Sequence, residues 1–222
     1  MSALFWALFY LVSSDGAAGR ATLPSADLSI YLSVDANQPA APVEYMKREL
    51  DALLETAGFR IAWGDANNPD KTGRASKLVV LELRGVCGMP PGIYRMEPSV
   101  DSGARLAETS ISPAGVQPFS QVNCPNITRM IGPALSAEAG AQRDYLYGRA
   151  LARVIAHEVY HIVMASRDHE REGIAKSRFT VADLLDETFD FDAVALAKLR
   201  QRAVEGLPNQ RSGEDRDRAT GR

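Results

Sequence analysis

Histidine, cysteine and basic charge are all in short supply in this sequence. Only three of its 222 residues are histidine and only two are cysteine. Lys and Arg number 25 against 28 Asp and Glu, a net charge of −3. Without a basic excess there is little to neutralise a phosphate backbone, and no basic run lies beside an aromatic platform, which argues against a nucleic-acid partner. Long apolar runs are scarce too. The one stretch apolar enough to enter a bilayer is at the N-terminus, so a multi-span membrane protein is excluded. Neither cysteine belongs to a C-x-x-C pair, which leaves no redox motif and no cysteine zinc site. No internal repeat is visible. What is present, 45% hydrophobic and 24% charged residues, is the composition of one ordinary globular domain.

The N-terminal run, Ala3 to Val12, is followed by Ser13-Ser14-Asp15-Gly16 and the small residues Ala17, Ala18 and Gly19. As a helix such a run spans about 15 Å, roughly half a bilayer core. That is too short for an anchor and suits the h-region of a signal peptide. The reading is a signal over residues 1–20 with cleavage near Ala18 to Ala21, a secreted or periplasmic location and no stable membrane span afterwards. A buried N-terminal strand is the plainer alternative. Export favours a Cys87–Cys124 disulfide closing a loop of 37 residues; two unrelated buried thiols are the other possibility. One domain is expected over 21–207. The charged tail 208–222, which lacks large apolar residues, is expected to be disordered.

Between these ends the pattern is mixed α and β. Leu28 to Val34 alternates after Leu28, as a half-buried strand does. Val43, Met46, Leu50, Leu53, Leu54 and Ala57 recur at helical spacing, predicting an amphipathic helix over 42–57 that ends at Gly58. Phe59 to Trp63 reads as a second strand, Leu78 to Leu83 as a central one and Arg105 to Ile111 as a weaker one. Residues 113–142 read as loop with a short helix near Ile127 to Ile131. A long helix is expected from Arg143 to Ala165, its lone Gly148 tolerated at some cost, and another from Phe191 to Val204.

The long helix carries His157-Glu158-Val159-Tyr160-His161, an H-E-x-x-H motif. Positions four apart share a helix face, so two imidazoles can meet one Zn²⁺ at about 2.0–2.1 Å. Glu158, rotated by about 100°, flanks the ion and can accept a proton from the water that the ion activates. A catalytic zinc needs three protein ligands and an open fourth position. The third histidine of the chain, His169, lies eight residues past His161. On an unbroken helix it would be about 12 Å further along the axis, so the helix must stop near Ala165-Ser166 and the chain must double back. Otherwise His169 is an exposed histidine in a charged loop. Asp168, Glu170 and Glu172, or Glu187 in the acidic stretch before Phe191, are substitute ligands; for Glu187 a solvated turn or helix cap is the plainer reading.

The motif-bearing helix resembles the active-site helix of the zincin metallopeptidases, and the preceding order of strands and helix resembles the metzincin branch. Two features depart from that branch: the third histidine is displaced by two residues, and no Met follows Met164 to make a Met-turn. The resemblance implies an α+β zincin-like fold: a mixed twisted sheet of about four or five strands, a backing helix, a long active-site helix and a small helical C-terminal part. It implies one zinc per chain on His157, His161 and, by analogy of role, His169, with Glu158 as general base. It implies a peptide or protein as substrate, held along an edge strand for which Arg105 to Ile111 is the candidate. Tyr145, Tyr147 and Tyr160 are candidate oxyanion donors by residue type only, and packing is the plainer role for each. The competing readings are an exported domain with a structural zinc closed by Asp168 or Glu172, and a metal-free binding module held by its disulfide. The sequence leaves the oligomeric state open.

Overall fold

The computed structural model describes residues 26–35, 37–68, 77–90 and 104–205. The expected signal segment and the expected charged tail lie outside the described residues. Five strands form one mixed sheet: β1 (Ala26–Ser33), β2 (Phe59–Asp65), β3 (Lys77–Arg84), β4 (Ala107–Ser112) and β5 (Gly115–Asn123). Their order is β2-β1-β3-β5-β4, parallel except for β4, which runs antiparallel to β5 at the edge. The strand expected to be central, β3, is the middle one. Among the described residues five helices accompany the sheet: α1 (Ala40–Thr56), α2 (Cys124–Leu135), α3 (Gly140–Met164), α4 (Val181–Leu185) and α5 (Ala193–Glu205). No helix among the described residues is long and apolar enough to cross a membrane.

The core follows the two periodicities. Leu28, Ile30 and Leu32 of β1 and Val79, Leu81 and Leu83 of β3 are buried on alternate positions. Met46, Leu50 and Leu54 of α1 and Leu151, Ile155 and Val159 of α3 complete the same cluster. The two helices lie against each other, and Gly148 is where they come closest. A Cβ on Gly148 would sit 2.7 Å from the Pro42 carbonyl oxygen and 2.9 Å from the Met46 backbone nitrogen. The glycine that looked like a tolerated cost is therefore required by the packing.

Two expectations are corrected. Residues 113–142 are not loop: they hold β5, the whole of the twelve-residue α2 and the start of α3. Pro118 disguises β5, since proline cannot donate to a ladder. It lies at a bulge: β4–β5 pairing jumps from Thr109↔Ser120 to Ile111↔Val116, and pairing with β3 begins only at Phe119. The missing N–H thus costs no ladder bond. The second correction is the length of α2, which starts at Cys124 because the Asn123 side chain caps it, accepting from the Asn126 amide at 3.0 Å, with Pro125 in the first turn. Cys124 is thereby placed 4.8 Å (Cα–Cα) from Cys87, and the two form a disulfide.

Candidate metal centre

α3 is apolar around most of its circumference near the motif, so His157, Glu158 and His161 are all buried. Backbone carbonyls fix both imidazoles. His157 Nδ1 lies 2.8 Å from the Ile174 oxygen, and His161 Nδ1 lies 2.9 Å from the Ser166 oxygen. A carbonyl oxygen only accepts, so each Nδ1 carries the proton and donates. Burial lowers the pKa of both histidines, more than their carbonyl partners raise it. Neutral rings protonated on Nδ1 have bare Nε2 lone pairs, and these face each other at 3.0 Å. Neither nitrogen has a hydrogen to share, so the pair repels unless a cation lies between them.

The chain does double back after α3. Ala165 adopts a left-handed backbone (φ 50°, ψ 34°), the Ser166 amide donates to the His161 carbonyl and the Ala165 amide to the Ile162 carbonyl. This is a Schellman turn built on alanine in place of glycine, at a cost of about 1 kcal/mol. It gives His161 its Ser166 partner and turns the chain so that the exposed His169 ring stacks on His157 (centroids 5.2 Å) and meets His161 edge-on (4.8 Å). One ligand atom from each of the three histidines lies within 4.8 Å of the others, an arrangement that could hold a metal ion. No carboxylate joins this group among the described residues. Asp168 accepts from the Ser166 hydroxyl instead, while Glu172 and Glu187 are exposed and outside the cluster.

The loop that supplies His169 is held at two points. Glu170 accepts from Tyr160 Oη (2.6 Å) and Lys198 Nζ (2.5 Å). Gly173, at φ 66°, brings the backbone against residues 190–192, where a Cβ would lie 2.7 Å from the Asp190 oxygen. The Ile174 amide donates to that oxygen and the Ile174 carbonyl receives His157. Neither carbonyl partner has a sequence signature, because any residue supplies one.

Glu158 lies beside the imidazoles at the floor of a cleft of about 910 Å³ that α2, α3, β4 and the loop at 177–181 line. Its Oε2 accepts a 2.5 Å hydrogen bond from Thr109 Oγ1 of β4, which also contacts Ser120 Oγ of β5 at 2.7 Å. With the Thr109 proton spent on the carboxylate, the Ser120 hydroxyl donates to Thr109. Burial pushes the Glu158 carboxyl above its ordinary pKa, and the Thr109 hydrogen bond partly offsets this. The sequence reading missed Thr109, although an alternating threonine on a strand facing the motif helix was a usable signal. The three candidate tyrosines are engaged elsewhere. Tyr147 donates to the Cys124 carbonyl, Tyr160 to Glu170, and Tyr145 packs edge-on against Tyr45 at 5.4 Å. None of them lines the cleft.

No protein-family model and no curated protein matches the chain.

Proposed function

We propose that the protein is an exported zinc metallopeptidase of zincin type that hydrolyses peptide bonds in the cleft beside α3. The observation that carries the reading is the pair of bare Nε2 atoms at 3.0 Å, each ring held by a carbonyl behind it. Two nitrogens on one tetrahedral zinc stand about 3.3 Å apart, given bonds of about 2.0–2.1 Å. The donor set fits zinc: neutral imidazoles suit it, the Nδ1–carbonyl contacts are the outer-shell bonds such ligands need, and His169 supplies the third nitrogen. Three histidine ligands without a carboxylate would leave a bound zinc its fourth position, as catalytic sites do and structural sites do not. That favours the hydrolase over a structural zinc closed by Asp168 or Glu172. The disulfide supports export.

When bound, the zinc supplies Lewis acidity, polarising the scissile carbonyl and acidifying water. The chain's own residues do the rest. Thr109 holds Oε2 of Glu158, which leaves Oε1 to take the proton of the attacking water and return it to the leaving amine. β4, the edge strand among the described residues, offers backbone groups to an extended peptide running past Glu158. The imidazoles stay neutral because burial disfavours their charged form.

Metal analysis and one substitution test this. The purified protein should hold about one zinc per chain, and Glu158→Gln should abolish cleavage of casein or peptides while keeping the metal. Absence of bound metal under zinc-replete conditions, or full activity in Glu158→Gln, would overturn the reading.

A further inference from the structure

The cleft beside the three imidazoles has a charge balance opposite to that of the whole chain. The chain is net −3, whereas among the described residues the charged ones lining the cleft are Arg105, Arg129, Arg167 and Arg178 against Glu108 and Glu158. All four arginines are exposed. Arg105 is committed to Glu108, with Nη1 2.8 Å from Oε1. Arg129 Nη1 donates to the neutral Asn126 Oδ1 at 2.6 Å. Arg167 and Arg178 form no ion pair with any described residue. The carboxylates of the same loop, Asp168, Glu170 and Glu172, do not line the cleft, and Glu170 is held by Lys198 and Tyr160.

Arg167 and Arg178 flank His169 in sequence, on the loop that delivers the third imidazole. A divalent ion on three neutral imidazoles adds positive charge at the same place. A guanidinium presents parallel donors that match a carboxylate, and a peptide without acidic side chains leaves those donors to water. A positive cleft on an anionic protein also steers anionic segments towards it and repels basic ones. We infer that the site selects acidic peptides, with Asp or Glu flanking the bond at the metal, and that Arg167 and Arg178 set this preference. The inference rests on the hydrolase reading for the bond that is cut, but the charge preference can be measured without cutting.

The test uses paired fluorescent peptides that differ only by Asp/Glu or Asn/Gln at the flanking positions. Binding to zinc-loaded Glu158→Gln is read by anisotropy, and cleavage by the wild type is read by kcat/KM. The acidic member should bind and be cut about three- to tenfold better at low salt, with the gap narrowing at high salt. Arg167→Gln/Arg178→Gln should bring the acidic-to-neutral ratio, in binding and in kcat/KM, down to about one. Equal binding of the two peptides, a preference for the neutral one, or a gap that survives the double substitution overturns the charge selection. Binding with the acidic preference but no cleavage of any peptide overturns the hydrolase reading alone.

Discussion

Thr109 on the edge strand and Glu158 on the central helix are 49 residues apart in sequence and share a 2.5 Å hydrogen bond. The bond makes the last strand of the sheet part of the carboxylate's setting. With Ser120 behind it, Thr109 leaves one carboxylate oxygen fixed and the other free.

The first prediction concerns this bond. Thr109→Val removes the donor while keeping the shape, and should lower kcat for peptide cleavage by about tenfold or more through misplacement of Glu158. Bound zinc should be unchanged by metal analysis, and Thr109→Ser should restore most of the rate. A Thr109→Val enzyme with wild-type kcat would show that the carboxylate needs no such anchor.

His169 is tested by metal retention. Loss of an outer-shell partner typically weakens a metal site by about 10–100-fold, and loss of a direct ligand should exceed that. His169→Ala should therefore release zinc to a competing chelator at least about a hundredfold more readily than the wild type. Unchanged affinity would move the third-ligand role to another residue.

Gly148→Ala tests the helix contact. With no room for a Cβ against Pro42 and Met46, the methyl group forces α1 and α3 apart at a cost of about 1–3 kcal/mol. For a chain of this size that is a fall in Tm of about 2–12 °C, measurable by calorimetry. An unshifted or raised Tm would contradict the tight crossing.

The alkaline limb of stability has a defined sign. Lys77 is buried, its Nζ donates to the Ile162 carbonyl at 2.6 Å, and burial followed by the nearby Arg202 charge lowers its pKa from 10.5 to about 8. Between those two values the unfolded chain binds more protons than the folded one, so Lys77 makes stability rise with pH across that window. Tyr147 acts oppositely: burial has pushed it up to about 12 from 10.0, so above pH 10.0 the unfolded chain sheds its proton first and stability falls. Denaturant midpoints measured from pH 7 to 10 should show the rise, and Lys77→Met should flatten it.

Periodicity was informative where one residue decides one contact. The apolar spacing of α1, the alternation of β1 and β3 and the i,i+4 histidines all translate directly into buried faces. β5 was hidden because its proline is legible only once the bulge it occupies is known. The stop of α3 was inferred from the need to return His169, yet nothing local announces it: Ala165 takes a left-handed backbone that glycine usually supplies. The carbonyls of Ile174 and Ser166, which orient the two histidines, belong to residue types that carry no chemical label. Such partners emerge from the path of the chain and not from its alphabet.

Lys198 lies on the last described helix, and its ammonium ends on the carboxylate next to His169 in the chain. Tyr160, from the helix bearing the other two imidazoles, ends on the same oxygen. α5 therefore works as a clasp on the loop that carries His169, and on the proposed metal reading the rate at which an ion leaves would report how firmly that helix is docked. A nick between His169 and α5 would release the third imidazole from its place without touching any of the three rings.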